Sequence, residues 1–162
     1  MFGMRRFFLG ALAGLLLAVP AVAQLKDKAE AFDFTAQVFI TATGEFSPDI
    51  FKLEKFASWN FHASWEEDGK EKGGKFEGIL FRVALRADTE VFAQGRQGQL
   101  IIRELKTKKI LRTWNLSDIY IGTDKIGYRA MFMQGLDCYQ MEVTLISGKT
   151  KISRELHMPC GE

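Results

Sequence analysis

Apolar residues recur at every second position through most of this chain, and that spacing leaves few folds open to it. Successive side chains of a β-strand point to opposite faces, so period-two alternation describes strands with one dry and one wet face. In residues 32–43, Phe32, Phe34, Ala36, Val38, Ile40 and Ala42 share one parity against Asp33, Thr35, Gln37 and Thr41. Residues 57–66 read as one further strand, with Trp59, Phe61 and Trp65 directed inward and Ser58, Asn60, His62 and Ser64 outward. Residues 66–74 combine mixed charges with three glycines and read as a polar, mobile loop.

Residues 76–87 place Ile79, Phe81, Val83 and Leu85 on the dry face of the next strand. Residues 100–105 and 110–114 flank a hairpin turn at 106–109, Gly95-Arg96-Gln97-Gly98 reads as another turn, and 118–121 as a short edge strand. Residues 128–134, 139–146 and 150–157 bring the total to about eight short strands, the pattern of an antiparallel β-sandwich. A small closed β-barrel with a ligand-holding interior is the alternative. Ser47-Pro48-Asp49 offers a capping hydroxyl, Pro at the first helical position and an acid in the first turn, so 48–56 fits a two-turn helix as well as a strand. No internal repeat, low-complexity tract or second domain interrupts residues 24–162.

Gly135 followed by Cys138-Tyr139-Gln140-Met141-Glu142-Val143 resembles the late strands of immunoglobulin-like domains, where a glycine precedes an alternating strand. The resemblance implies an immunoglobulin-like strand pattern. It implies no function, because that architecture serves many unrelated purposes.

The first 23 residues follow different rules. Arg5 and Arg6 precede an uncharged apolar run, and Ala21-Val22-Ala23 supplies the small residues that a signal peptidase reads. Residues 7–23 are short for a membrane span, which needs about 20 residues, and Pro20 interrupts their end. A cleaved export signal is therefore expected over 1–23, with a soluble periplasmic product from Gln24. No cysteine lies near the cleavage point, so no thioether lipid anchor is expected. Arg5-Arg6-Phe7-Phe8-Leu9 also resembles the core of a twin-arginine signal, but the Leu-rich run favours the general secretory route.

Charge then removes one class of partner. The chain holds 22 Lys plus Arg against 20 Asp plus Glu, and loss of Arg5 and Arg6 brings the mature domain to neutrality. Nucleic-acid affinity comes mainly from phosphate neutralisation, so no such partner is expected.

Two cysteines, Cys138 and Cys160, remain after cleavage. In an oxidising compartment a lone pair is expected to form a disulfide. A turn at Ser147-Gly148 would set the two sulfurs nearly opposite one another at the open end of one hairpin. Closing that loop would stabilise the fold by about 3 kcal/mol.

Catalytic chemistry is hard to assemble from this inventory. A nucleophile needs a base, and only His62 and His157 are present, with no glycine-framed serine. The glycines at 95–98 lack the Lys-Ser/Thr ending of a phosphate loop, and the acids mostly adjoin lysines as a solvated surface does. The rival to a plain binding domain is copper handling, in which Met131, Met133, His157 and Met158 supply the soft thioether and imidazole ligands that Cu(I) accepts. Otherwise no cofactor is expected. The 14 Phe, three Trp and three Tyr would mostly fill a core, and any excess facing outward would form a binding patch. The polar face with Asn60, His62 and Ser64 is a second candidate recognition surface. The reading is an exported binding domain, without an evident catalytic site, that works through a partner protein in the periplasm.

Overall fold

The computed structural model describes residues 28–135 and 140–158, so the expected signal at 1–23 and both cysteines lie outside the described residues. Ten antiparallel strands follow one another: β1 (Glu30–Ile40), β2 (Glu45–Phe46), β3 (Phe56–Trp59), β4 (His62–Glu67), β5 (Lys70–Arg86), β6 (Val91–Glu104), β7 (Ile110–Ile121), β8 (Ile126–Gln134), β9 (Gln140–Ser147) and β10 (Thr150–His157). No helix occurs among the described residues.

The strands form two sheets, and β5 is the spine of the larger one. Its C-terminal half pairs with β1 on one edge and with β8 on the other. The smaller sheet runs β10-β9-β6-β7. Thus β1, β5 and β8 face β10, β9, β6 and β7, and chain order alternates between layers at the β5–β6, β7–β8 and β8–β9 connections. That partition is the immunoglobulin-like one, with β7 in the place of the extra strand beside the third. Among the described residues no ladder joins the two sheets into a ring, so the chain is a sandwich and not a closed barrel. Inner-face residues of both sheets fill the space between: Phe34, Val38, Ile79, Phe81, Val83 and Leu85 meet Leu100, Ile102, Leu116, Met141 and Leu145, all fully buried. Each large apolar side chain so buried contributes about 1.5–3 kcal/mol.

Local exceptions to the alternation carry information. In β1 a bulge between Ala31 and Asp33 shifts the register, so Ala31, not Phe32, faces the core. Phe32 instead lies under the Arg86 guanidinium, 5.4 Å from its ring centre. The expected single strand at 57–66 is two strands. Asn60 and Phe61 both have positive φ (42° and 61°) and form a tight turn, after which the parity reverses. Ser58, Ala63 and Trp65 are consequently buried, while Trp59 and Phe61 are exposed, the reverse of the expected facing for Ser58, Trp59 and Phe61. The expected mobile loop at 66–74 is also a hairpin: β4 continues to Glu67, Asp68-Gly69 turns the chain at positive φ, and β5 begins at Lys70.

The segment 48–56 is neither helix nor a single strand before β3 starts at Phe56. Its caps serve the neighbouring strand instead. Ser47 Oγ accepts from the Val38 amide and Asp49 Oδ1 from the Ala36 amide, while the Ser47 and Ile50 amides donate to the carbonyls of Val38 and Ala36. These bonds satisfy the outer edge of β1, which would otherwise offer open donors and acceptors to another chain. Residues 95–98, expected as a turn, lie inside β6 as an irregular bulge, and 118–121 continue β7 without a break. The β9–β10 hairpin has the expected register, with Thr150 opposite Ser147 and His157 opposite Gln140. Arg154 on β10 ties the sheets together: its guanidinium donates to Asp33 Oδ1 at 2.7 Å and to the Phe34 carbonyl, and lies 4.6 Å over the Phe34 ring.

Candidate functional site

Parity places some aromatic residues on the wet side of the larger sheet. Val38 and Ile40 face inward on β1, so Phe39 between them faces out; Met131 and Met133 face inward on β8, so Phe132 does the same. Phe39 is opposite Phe46 on β2, with ring centres 5.1 Å apart. It meets Phe132 edge-on at 6.5 Å, across the β5 strand. The residue of β5 between them is Gly78, the partner of Phe39 on one side and Gln134 on the other. A Cβ at Gly78 would come within 2.8 Å of the Phe132 ring and 2.5 Å of the Met133 carbonyl oxygen. The missing side chain is thus what lets Phe132 fold over the spine.

A second pair of rings stands at the same end. The Thr41 amide donates to the Lys75 carbonyl from the β1 edge of β5, and the Phe76 amide donates to the Phe61 carbonyl on the opposite edge. The β1–β2 and β3–β4 turns therefore flank the spine at residues 75–76, two positions from Gly78. At the tip of the second turn Phe61 is 54% exposed and rests against Phe76 at 6.5 Å. Trp59 is 42% exposed and stacks on His62 at 6.1 Å.

Exposure alone does not distinguish these rings, since Phe92, Tyr120 and Tyr128 are also exposed. What differs is their company. Tyr120 donates to Glu90, whose carboxylate raises the phenol above its ordinary pKa and keeps it neutral. Tyr128 lies under the Arg82 guanidinium at 5.3 Å. Phe46 (44% exposed), Phe132 (39%) and Phe61 carry no polar handle and gather at one end of one sheet. Phe46 and Phe132 meet through Phe39 as one contiguous apolar surface on the outer face, which marks an interaction site, whereas Phe61 stands apart from them against the buried Phe76.

Phe61 adds an energetic argument. A non-glycine residue in the left-handed region costs about 1–2 kcal/mol, and a bulky one there is an outlier. Glycine would remove that strain, so the exposed ring stands at a backbone cost. Replacing Phe61 with glycine relieves the strain, loses a ring contact worth about 0.5–1.5 kcal/mol and adds about 0.5–1 kcal/mol of unfolded-state entropy. These terms nearly cancel. The Phe61→Gly variant is expected to match the parent stability within about 1 kcal/mol in urea unfolding.

The residues singled out from sequence are distributed as follows. His62 belongs to the aromatic end beside Trp59, Asn60 forms the turn itself, and Ser64 lies further along β4, lining a shallow hollow with Lys55, Trp65 and Glu71. His62 and Ser64 share the outward face of β4, while Asn60 belongs to the turn and not to that face. Met131 and Met133 are buried on the core face of β8 opposite Phe81 and Ile79. Met158 is buried at the other edge of the sandwich, where Ser58 Oγ donates to its sulfur at 3.5 Å, and His157 is exposed with Nε2 3.6 Å from Glu155. The four candidate copper ligands are not brought together. The outward Phe39 and Phe132 were readable from the parity of their neighbours; Phe46 on a two-residue strand left no periodic signal.

Among the described residues the geometry is a two-sheet antiparallel sandwich, β1, β5 and β8 against β10, β9, β6 and β7, with β2 and the β3–β4 hairpin added to the larger sheet and an aromatic surface at that end. No protein-family model, curated protein or solved structure matches the chain.

Proposed function

We propose that this protein is an exported binding module that holds a partner protein in the periplasm through the aromatic end of its larger sheet. The observation that carries this reading is the exposed group of Phe46 and Phe132 joined by Phe39 over the Gly78 spine, with Phe61 exposed on the tip of the neighbouring hairpin. Rings of this type, set on a rigid sheet, match the few aromatic anchors that supply most of the energy in protein interfaces. Trp59 and His62 extend the surface with one stacked pair.

The Phe61→Gly variant tests the reading because its fold is expected to be intact. Binding to a partner recovered from the native envelope should weaken at least tenfold. Unchanged affinity would remove the hairpin tip from the interface.

The same reading includes cleavage after Ala23 and a disulfide between Cys138 and Cys160. In sequence these residues lie two positions before Gln140 and three after His157, the last described pair of the β9–β10 ladder. Intact-mass measurement on protein from its native cells should give a chain beginning at Gln24 with two hydrogens fewer than the reduced form. A mass that includes the leader, or free thiols, would contradict it.

A further inference from the structure

The end of the sandwich near Lys28 holds a cleft of about 710 Å³, formed where the start of β1, the end of β5, the β6 bulge and the β9–β10 turn meet. Its floor is fixed by hydrogen bonds between the sheets. Ser147, 1% exposed, accepts from the Ala31 amide at 3.0 Å and donates to the Gln97 carbonyl at 2.8 Å. The Gln97 side chain accepts from the Ala29 amide and donates to the Gln94 carbonyl. Above this floor stand Lys28, Arg86, Arg96 and Lys149 and, among the described residues, two carboxylates, Glu30 and Asp88.

One of those carboxylates is already engaged. Glu30 lies 3.8 Å from Arg86 and accepts from Thr150. Among the described residues, Lys28, Arg96 and Lys149 enter no salt bridge. A domain whose mature charge is neutral thus concentrates excess positive charge in one concave place. The β6 register shifts on both sides of Arg96, the device by which a bulge re-aims a side chain. Guanidinium groups match the planar oxygens of carboxylate and phosphate. The volume lies within the range of about 300–1,000 Å³ that holds a small molecule.

We propose that this cleft binds a small anionic molecule through a carboxylate or phosphate group held by Arg96 and Lys149. The site is separate from the aromatic surface and does not depend on it. Titration of the mature, oxidised protein with inorganic phosphate and with citrate, at ionic strength fixed with potassium chloride, tests it by backbone amide NMR. Saturable shifts centred on Gly148, Gln97 and Ala87 are expected with at least one probe. Response to phosphate alone identifies a phosphate ligand, and response to citrate alone a carboxylate one. The Arg96→Ala and Lys149→Ala variants should each weaken binding at least tenfold, whereas Lys108→Ala, on the β6–β7 turn, should not change it. Shifts that chloride reproduces, that do not saturate with either probe, or that Lys108→Ala weakens equally would overturn the proposal. Loss of the native amide pattern in a variant would be read before titration, and Arg96→Gln, which keeps a polar side chain, then replaces it.

Discussion

Replacing Gly73 with alanine is expected to destabilise the protein by about 4 kcal/mol, a large part of the 5–15 kcal/mol that holds an ordinary domain together. Gly73 lies on β5 opposite Ser64, at a φ of 137°, where the N-terminal half of the spine carries the β3–β4 hairpin. An added Cβ would stand 2.1 Å from the Ala63 carbonyl oxygen and 2.8 Å from the Ser64 Cα. Both obstacles are backbone, so relief requires the β4–β5 ladder to separate. Ala63 and Trp65 leave the core if it does, and the hairpin that presents Phe61 and Trp59 loses its support. Gly44→Ala is the matched control: its φ is also positive, at 74°, but its Cβ would meet nothing within 4 Å. It should cost only about 1 kcal/mol. Urea unfolding of the two variants separates steric collision from backbone strain. Equal, small losses would show that the hairpin does not pack against the spine as described.

The second large effect concerns binding. Changing Phe46 and Phe132 together to serine removes two rings that are 44% and 39% exposed; the covered part of each costs about 1–2 kcal/mol, less in total than an ordinary domain's stability, so the fold should persist. Partner affinity should fall about a hundredfold or more, since aromatic anchors near an interface centre each carry about 2 kcal/mol or above. Solubility should rise at the same time, because the exposed apolar patch shrinks. The same exchange at Phe92, on the smaller sheet, should leave affinity unchanged. A double variant that binds as the parent does would place the interface elsewhere.

The strand inventory was legible because alternation is a direct imprint of the pleat. Ile79, Phe81, Val83 and Leu85 fell where their parity put them, and so did the β9–β10 hairpin. Errors arose where one residue reversed the phase. Asn60-Phe61 turns the chain inside an otherwise unbroken ten-residue pattern, and the turn lacks the glycine that usually announces it. Asp68-Gly69 did carry that signal, hidden within a stretch whose charges and glycines resembled a loop. The bulges at Ala31–Asp33 and at Ala93–Gly98 change facing without changing composition, so sequence spacing alone misplaced Phe32 and read Arg96 as part of a turn. Ser47-Pro48-Asp49 looked like a helix start because the same side-chain acceptors that cap a helix here bind the edge of β1. The aromatic surface was half visible: parity exposes Phe39 and Phe132, but only strand pairing brings Phe46 to them.

Site-specific photo-crosslinking in the native cells tests binding through this face most directly, with a benzoylphenylalanine in place of Phe46, of Phe132, and of the exposed Thr113 on the opposite sheet. The account predicts one discrete adduct from the first two positions and none from the third. Adducts from Thr113 but not from Phe46 or Phe132 would contradict it, as would the absence of any adduct at all three.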